Sequence, residues 1–163
     1  MRKTILPLIT LFAATCFISC DKNTNPESTE KIPIRISSSV TKVSGDTFEQ
    51  GDAIGLYVVN ATENEDGSWE SGTLADTGNH LDNIRYEYKG SWNADKEYYW
   101  KDARTQADFY CYYPYNSKAS NVESIKFTAP VDQSTLSGFK SAEILWGHAA
   151  LKSPSEEYVN ILT

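Results

Sequence analysis

Short segments rich in aromatic and β-branched residues recur from residue 32 to the end of the chain, separated by Gly, Pro and Asn. Several of them alternate apolar with polar side chains, which is typical of strands with one buried face. Helical periodicity is hard to find. The predicted strands lie at residues 32–36, 53–59, 85–88, 97–100, 108–113, 124–129, 143–146 and 158–163. This pattern predicts an all-β protein, built as a sandwich or a barrel.

Glycine and its neighbours mark two turns. Gly51 and Asp52 suit a turn that leads directly into the apolar strand over residues 53–59. Residues 64–67 read as the tip of a hairpin. Inside the strand, Gly55 has no side chain, so we expect a neighbouring backbone or ring to approach it closely.

Large aromatic rings within these segments have two interpretations. The first is packing in the space between two sheets. The second is a stacking platform for sugars or other flat ligands. The rings expected in the core are Tyr98, Trp100, Phe109, Tyr113 and Trp146.

The N-terminus resembles a bacterial lipoprotein signal. A basic start is followed by an apolar run over residues 5–18, and Ser19 stands directly before Cys20. The apolar run is shorter than a membrane span of about 20 residues. We therefore expect a signal peptide at residues 1–19 and acylation of the Cys20 thiol. The alternative is an ordinary secretory signal in which the cysteine has no role.

The segment after Cys20 supports a surface tether. Residues 20–31 are polar and contain almost no apolar side chain, so they cannot bury enough surface to fold. We expect a flexible tether that holds the domain at residues 32–163 on the outer membrane or cell surface through the N-terminal lipid.

Charge and cysteine content argue against a nucleic-acid-binding protein and against a disulfide-bonded domain. The formal net charge is −7, with 15 basic and 22 acidic side chains, so nucleic acid is not an expected partner. Of three cysteines, Cys111 alone lies beyond the signal and the lipidation position. An internal disulfide is therefore not expected, and we expect Cys111 to be a buried, inert thiol.

Residues for catalysis or metal binding do not form a recognisable pattern. His80 and His148 are the only histidines, and neither has a second ligand at a metal-binding spacing. We expect both to be exposed or hydrogen-bonded loop residues. The sequence predicts no catalytic residues, no metal site, no cofactor and no enzymatic activity.

Six segments follow one another in a fixed order and spacing: residues 48–57, residues 83–88 with Trp92, and residues 98–100, 108–115, 132–134 and 144–146. Together they resemble the N-terminal domain of the fimbrillin-like family of Bacteroidales surface lipoproteins. The resemblance extends over roughly residues 32–163 and implies a transthyretin-like Greek-key β-sandwich. It also implies a subunit of pili or a related adhesin, which joins other subunits by donor-strand exchange. The alternative is a lipid-anchored protein that binds a host or glycan ligand by aromatic stacking.

In the pilin branch, the resemblance implies that a protease removes the first strand at a basic residue. Arg35 and Lys42 are the candidate processing positions here. The isoleucines at residues 32–36 alternate as a removable strand requires. The chain ends inside the strand pattern at residues 158–163, so we expect the sequence to be the N-terminal part of a longer product.

Lipidation is testable by mass. Protein extracted from membranes should yield an N-terminal peptide that begins at Cys20 and carries acyl chains, and Cys20→Ala should block processing or release the protein. Ser19→Ala keeps a small residue before the cysteine and serves as the control. Mature protein that begins elsewhere and carries no lipid would contradict the prediction.

Overall fold

The computed structural model describes residues 31–39 and 47–162. Within this part of the chain, no helix is both long enough and apolar enough to span a membrane. The elements are β1 (Arg35–Ser38), β2 (Ala53–Asn60), β3 (Thr62–Glu63), β4 (Trp69–Glu70), β5 (Leu81–Tyr88), β6 (Trp92–Asn93), β7 (Ala107–Tyr113), α1 (Leu136–Lys140), β8 (Leu145–Lys152) and β9 (Tyr158–Leu162).

A five-stranded antiparallel sheet with the order β6-β5-β2-β7-β8 forms the main layer. β2 lies at its centre, and six consecutive residues of this strand are buried. The near-continuous apolar run of β2 is required because both faces of the central strand are covered.

The second layer consists of β1 and β9, which pair in parallel and lie over one face of the main sheet. We call the side of the main sheet under these strands the inner face, and the opposite side the outer face. The inner face and the covering strands form one apolar core. Its most deeply buried members include Ile36, Ile54, Leu56, Val58, Phe109, Cys111, Ile161 and Leu162. The all-β sandwich predicted from the sequence is confirmed.

Tyr112 covers the middle of the outer face. It pairs with Gly55 across the two strands, and a Cβ atom on Gly55 would stand only 2.2 Å from the Tyr112 ring. The close approach predicted at Gly55 is therefore confirmed. The turn before β2 is also present, with Gly51 at a φ of 96°, and the hairpin tip predicted at residues 64–67 connects β3 to β4.

Two predicted strands are wrong. Residues 97–100 form only an isolated bridge, between Tyr99 and Pro33, because this segment turns to bury the Trp100 ring. Residues 124–129 pair with no strand in the described chain. Their alternation arises because Ile125 and Phe127 are half-buried in a loop.

Other boundaries differ from the prediction. β8 begins at Leu145 and continues to Lys152, well beyond the predicted segment at residues 143–146. β5 starts at Leu81, four residues before its predicted start. One short helix, α1, is present although the sequence shows no helical periodicity.

The five rings predicted to fill the core divide into three groups. Trp100 and Phe109 are buried and meet edge to face, with ring centroids 5.1 Å apart. Tyr98 and Tyr113 are half-buried. The prediction for Trp146 is wrong, because its side chain lies on the outer face of the last strand of the sheet and is 52% exposed.

Two neighbouring residues of β7 test which side chains of this strand lie on the inner face and which on the outer face. Phe109→Ala removes a fully buried ring and should lower the free energy of unfolding by about 3–5 kcal/mol. Tyr110→Ala removes a half-buried ring from the outer face and should cost less than half as much. Urea denaturation of both variants measures the difference. Equal losses would contradict the assignment of faces.

Candidate functional site

The first strand is the candidate site because its side chains alternate between core and solvent. Ile34 and Ile36 are 6% and 1% exposed and belong to the core, while Arg35 between them is exposed. Ile32, nearer the N-terminus, packs against the same core. The alternation predicted for the isoleucines of this segment is confirmed. We call the channel that holds residues 32–39 the β1 groove.

One wall of the β1 groove is β9. The two strands run parallel, with Arg35 opposite Tyr158 and Ile36 opposite Val159. The regular register ends at a shift between Ser37 and Ser38. The ladder therefore covers only the four residues of β1.

Backbone hydrogen bonds extend the contact beyond the ladder at both ends. At the N-terminal end, the Ile34 amide donates to the Tyr98 carbonyl at 2.7 Å, and the Trp100 amide donates to the Ile32 carbonyl at 2.9 Å. At the C-terminal end, the Ser39 amide donates to the carbonyl of Leu162 at 2.9 Å. Residues 98–100, predicted as a strand, thus supply a short second wall.

Within residues 31–39 and 47–162, no strand borders the rest of this side of β1. Two clefts of about 340 and 380 Å³ border β1, and Trp92 and Tyr158 line both of them. The side chain of Trp92 bridges one gap by donating from Nε1 to the Ser38 Oγ at 3.1 Å. β1 is therefore held by a continuous strand on one side and by a few contacts on the other.

The floor of the β1 groove is apolar. The Cys111 thiol belongs to the same core and lies under the other strand of the pair, with Sγ 3.5 Å from the Ile161 carbonyl oxygen of β9. Burial raises the pKa of this thiol to about 12, so it is uncharged at neutral pH. The buried, inert thiol predicted at Cys111 is confirmed. Phe48 closes the end near Ser38, with its ring 4.8 Å from that of Trp92.

The structure describes one of the two predicted processing positions, Arg35. Arg35 lies inside β1, where its side chain is exposed and Nη1 donates to the Glu156 carbonyl at 3.1 Å. Lys42 lies outside the described residues, as does the predicted lipidation residue Cys20.

Neither histidine is at the β1 groove floor. His80 lies next to β5, with Nε2 2.7 Å from the Tyr99 carbonyl oxygen. The prediction that His148 is a loop residue is wrong: it lies in β8 and stacks on Tyr110. Within residues 31–39 and 47–162, no three metal-ligating side chains come together at one place.

Sequence reasoning missed a buried carboxylate. Asp108 is fully buried in β7, and its Oδ1 accepts hydrogen bonds from Ser71 Oγ at 3.1 Å and from the Leu151 amide at 3.0 Å. Leu151 has a φ of 45° and lies where the register of β7 and β8 shifts. The carboxylate therefore stabilises an irregularity in the last strand of the sheet, which no local pattern reveals.

The fold and this groove agree with a family match. The model of the fimbrillin-like family matches residues 41–161. The chain belongs to the fimbrillin-like family. Among curated proteins, none matches the sequence.

Two crystal structures of Bacteroides proteins, both assigned to cell adhesion, share the fold. For the protein from Bacteroides uniformis ATCC 8492 the TM-score is 0.52 at 18% identity, over 83% of this chain and 47% of that one. For the protein from Bacteroides ovatus ATCC 8483 the TM-score is 0.51 at 19% identity, over 80% of this chain and 51% of that one. The fimbrillin-like chain thus spans about half the length of these proteins.

Proposed function

We propose that this fimbrillin-like protein is a non-catalytic, lipid-anchored subunit of a surface pilus or a related adhesin, assembled by donor-strand exchange. The observation that carries the proposal is the β1 groove, where one short strand completes the core and, among the described residues, a continuous strand borders one of its two sides. The family match supports a pilus or adhesion role, and the two structural relatives are assigned to cell adhesion.

The first step of the argument concerns what β1 contributes. Ile34 and Ile36 are almost fully buried, and each such side chain stabilises a fold by about 1.5–3 kcal/mol. Removing the strand would expose this apolar floor and one edge of β9 to water. A donor strand with alternating apolar side chains would restore both the burial and the main-chain hydrogen bonds.

The second step concerns how β1 would leave. A cut after Arg35 would fall behind the first residue of β1 and leave Ile36 and the rest of the strand attached to the domain. A cut after Lys42 would leave β1 whole and held only by non-covalent contacts. Lys42 is therefore the better processing position.

The third step connects the groove to the membrane. The proposed lipid at Cys20 and the tether at residues 20–31 precede β1 in the chain. A cut after β1 would separate the anchor from the rest of the domain. Replacement of β1 by a strand from another subunit would thus move the protein from the outer membrane into a fimbrium in one step.

Limited proteolysis of the full-length protein with a lysine- and arginine-specific protease tests the proposal. Cleavage between residues 35 and 48 should produce oligomers, which gel electrophoresis would show as a ladder of bands in unboiled samples and not in boiled ones. The Arg35→Gln, Lys42→Gln double variant should stay monomeric. A synthetic peptide of residues 31–39 should suppress the ladder because it refills the groove, whereas a scrambled peptide should not.

Two results would contradict donor-strand exchange. The first is cleavage after β1 without any heat-sensitive oligomers. The second is a ladder of the same intensity in the presence of the peptide of residues 31–39.

A further inference from the structure

Another cleft lies at the end of the main sheet where β7 ends and β8 begins, and it shares no lining residue with the two clefts beside β1. It has a volume of about 600 Å³, which is within the usual range for small-ligand sites. Its floor includes Tyr112 and Trp146, which face each other across β7 and β8. Residues 122–128 form the opposite wall. We call it the outer cleft.

The exposed ring of Trp146 is the feature that needs an explanation. Its indole is 52% exposed, and the ring of Tyr110 lies beside it at a centroid distance of 6.2 Å. His148 extends this surface by stacking on Tyr110 at 4.2 Å, with the two rings almost parallel. An indole left half in water at the edge of a cleft is an available stacking surface.

Hydrogen bonds hold the outer cleft in shape without a ligand. The buried hydroxyl of Tyr112 donates to Asn83 Oδ1 at 2.6 Å and accepts from the Asn116 amide at 3.2 Å. The Asn116 side chain donates to the Lys126 carbonyl at 3.2 Å, which ties the far wall to the sheet. A preformed cleft spares a ligand the cost of ordering the loop.

The side chains that line the outer cleft indicate the class of ligand. Apolar and aromatic side chains alternate with polar ones at the wall, where Glu123 and Lys126 are exposed and Tyr115 is half-buried. A carboxylate, an ammonium and a hydroxyl beside an indole suit a ligand with an apolar face and many hydroxyl groups. The net charge of −7 disfavours anionic ligands.

We propose that the outer cleft binds a neutral saccharide, with one sugar ring stacked on Trp146 and its hydroxyl groups bonded to the polar wall. The proposal does not depend on strand exchange, because the outer cleft shares no lining residue with the clefts beside β1. A subunit could therefore assemble through the β1 groove and bind a glycan in the outer cleft.

Isothermal titration calorimetry of the full-length protein tests this site with maltotriose, cellotriose and mannotriose as probes. We expect saturable binding of at least one of them. Trp146→Ala should weaken binding about ten-fold or more, while Trp146→Tyr should keep most of it. Trp69→Ala, in the β3–β4 hairpin, is the matched control and should bind as the parent protein does. Thermal melts check that each variant is folded.

Three results would overturn the proposal. One is the absence of binding to all three trisaccharides by folded protein. Another is binding that Trp146→Ala leaves unchanged. The third is self-association in sedimentation experiments that Trp146→Ala abolishes and the sugars do not affect, since the surface would then serve a second copy of the chain.

Discussion

The parallel contact of β1 with β9 is the interaction on which the rest of this domain depends. The inner face of the main sheet is apolar, and within the described chain only these two strands cover it. β9 alone cannot fill the space, because Ile34 and Ile36 belong to the same buried cluster as Ile161. The burial of the inner face therefore depends on one short segment, which is also the segment that we propose is exchanged during assembly.

The two faces of the main sheet are closed by different means. On the inner face, apolar side chains from separate strands pack together, and such a contact needs only a strand with the same alternation of side chains. On the outer face, Tyr112 is fixed by hydrogen bonds to Asn83 and Asn116, which depend on specific side chains. This difference explains why an exchangeable element is proposed on one face and a rigid binding cleft on the other.

Sequence patterns predicted the parts of the fold that depend on local periodicity. The apolar run of β2, the turn at Gly51 and the alternation of the isoleucines in β1 are all present. The pattern at residues 124–129 was misleading because a loop that packs against a sheet alternates in the same way as a strand.

The site itself was only partly predictable. Alternation predicted which side chains of β1 are buried, but its partner β9 lies more than a hundred residues away, and no local signal specifies that pairing. The exposure of Trp146 was equally unpredictable. A tryptophan in an apolar segment is expected to be buried unless it is known on which face of the sheet it lies. Both features are set by long-range topology.

Native-state hydrogen exchange of the full-length protein tests most directly whether β1 is held separately from the main sheet. The amides to follow are those of Ile34 and Ser39, which bond to the walls of the β1 groove, and those inside β2 and β7. We predict that the amides of Ile34 and Ser39, which flank β1, exchange through a local opening of clearly lower free energy, while those of β2 and β7 exchange only on global unfolding. Equal protection of the amides at Ile34, at Ser39, in β2 and in β7 would show that β1 is an integral part of one cooperative unit, and would contradict the proposal that it is a replaceable strand.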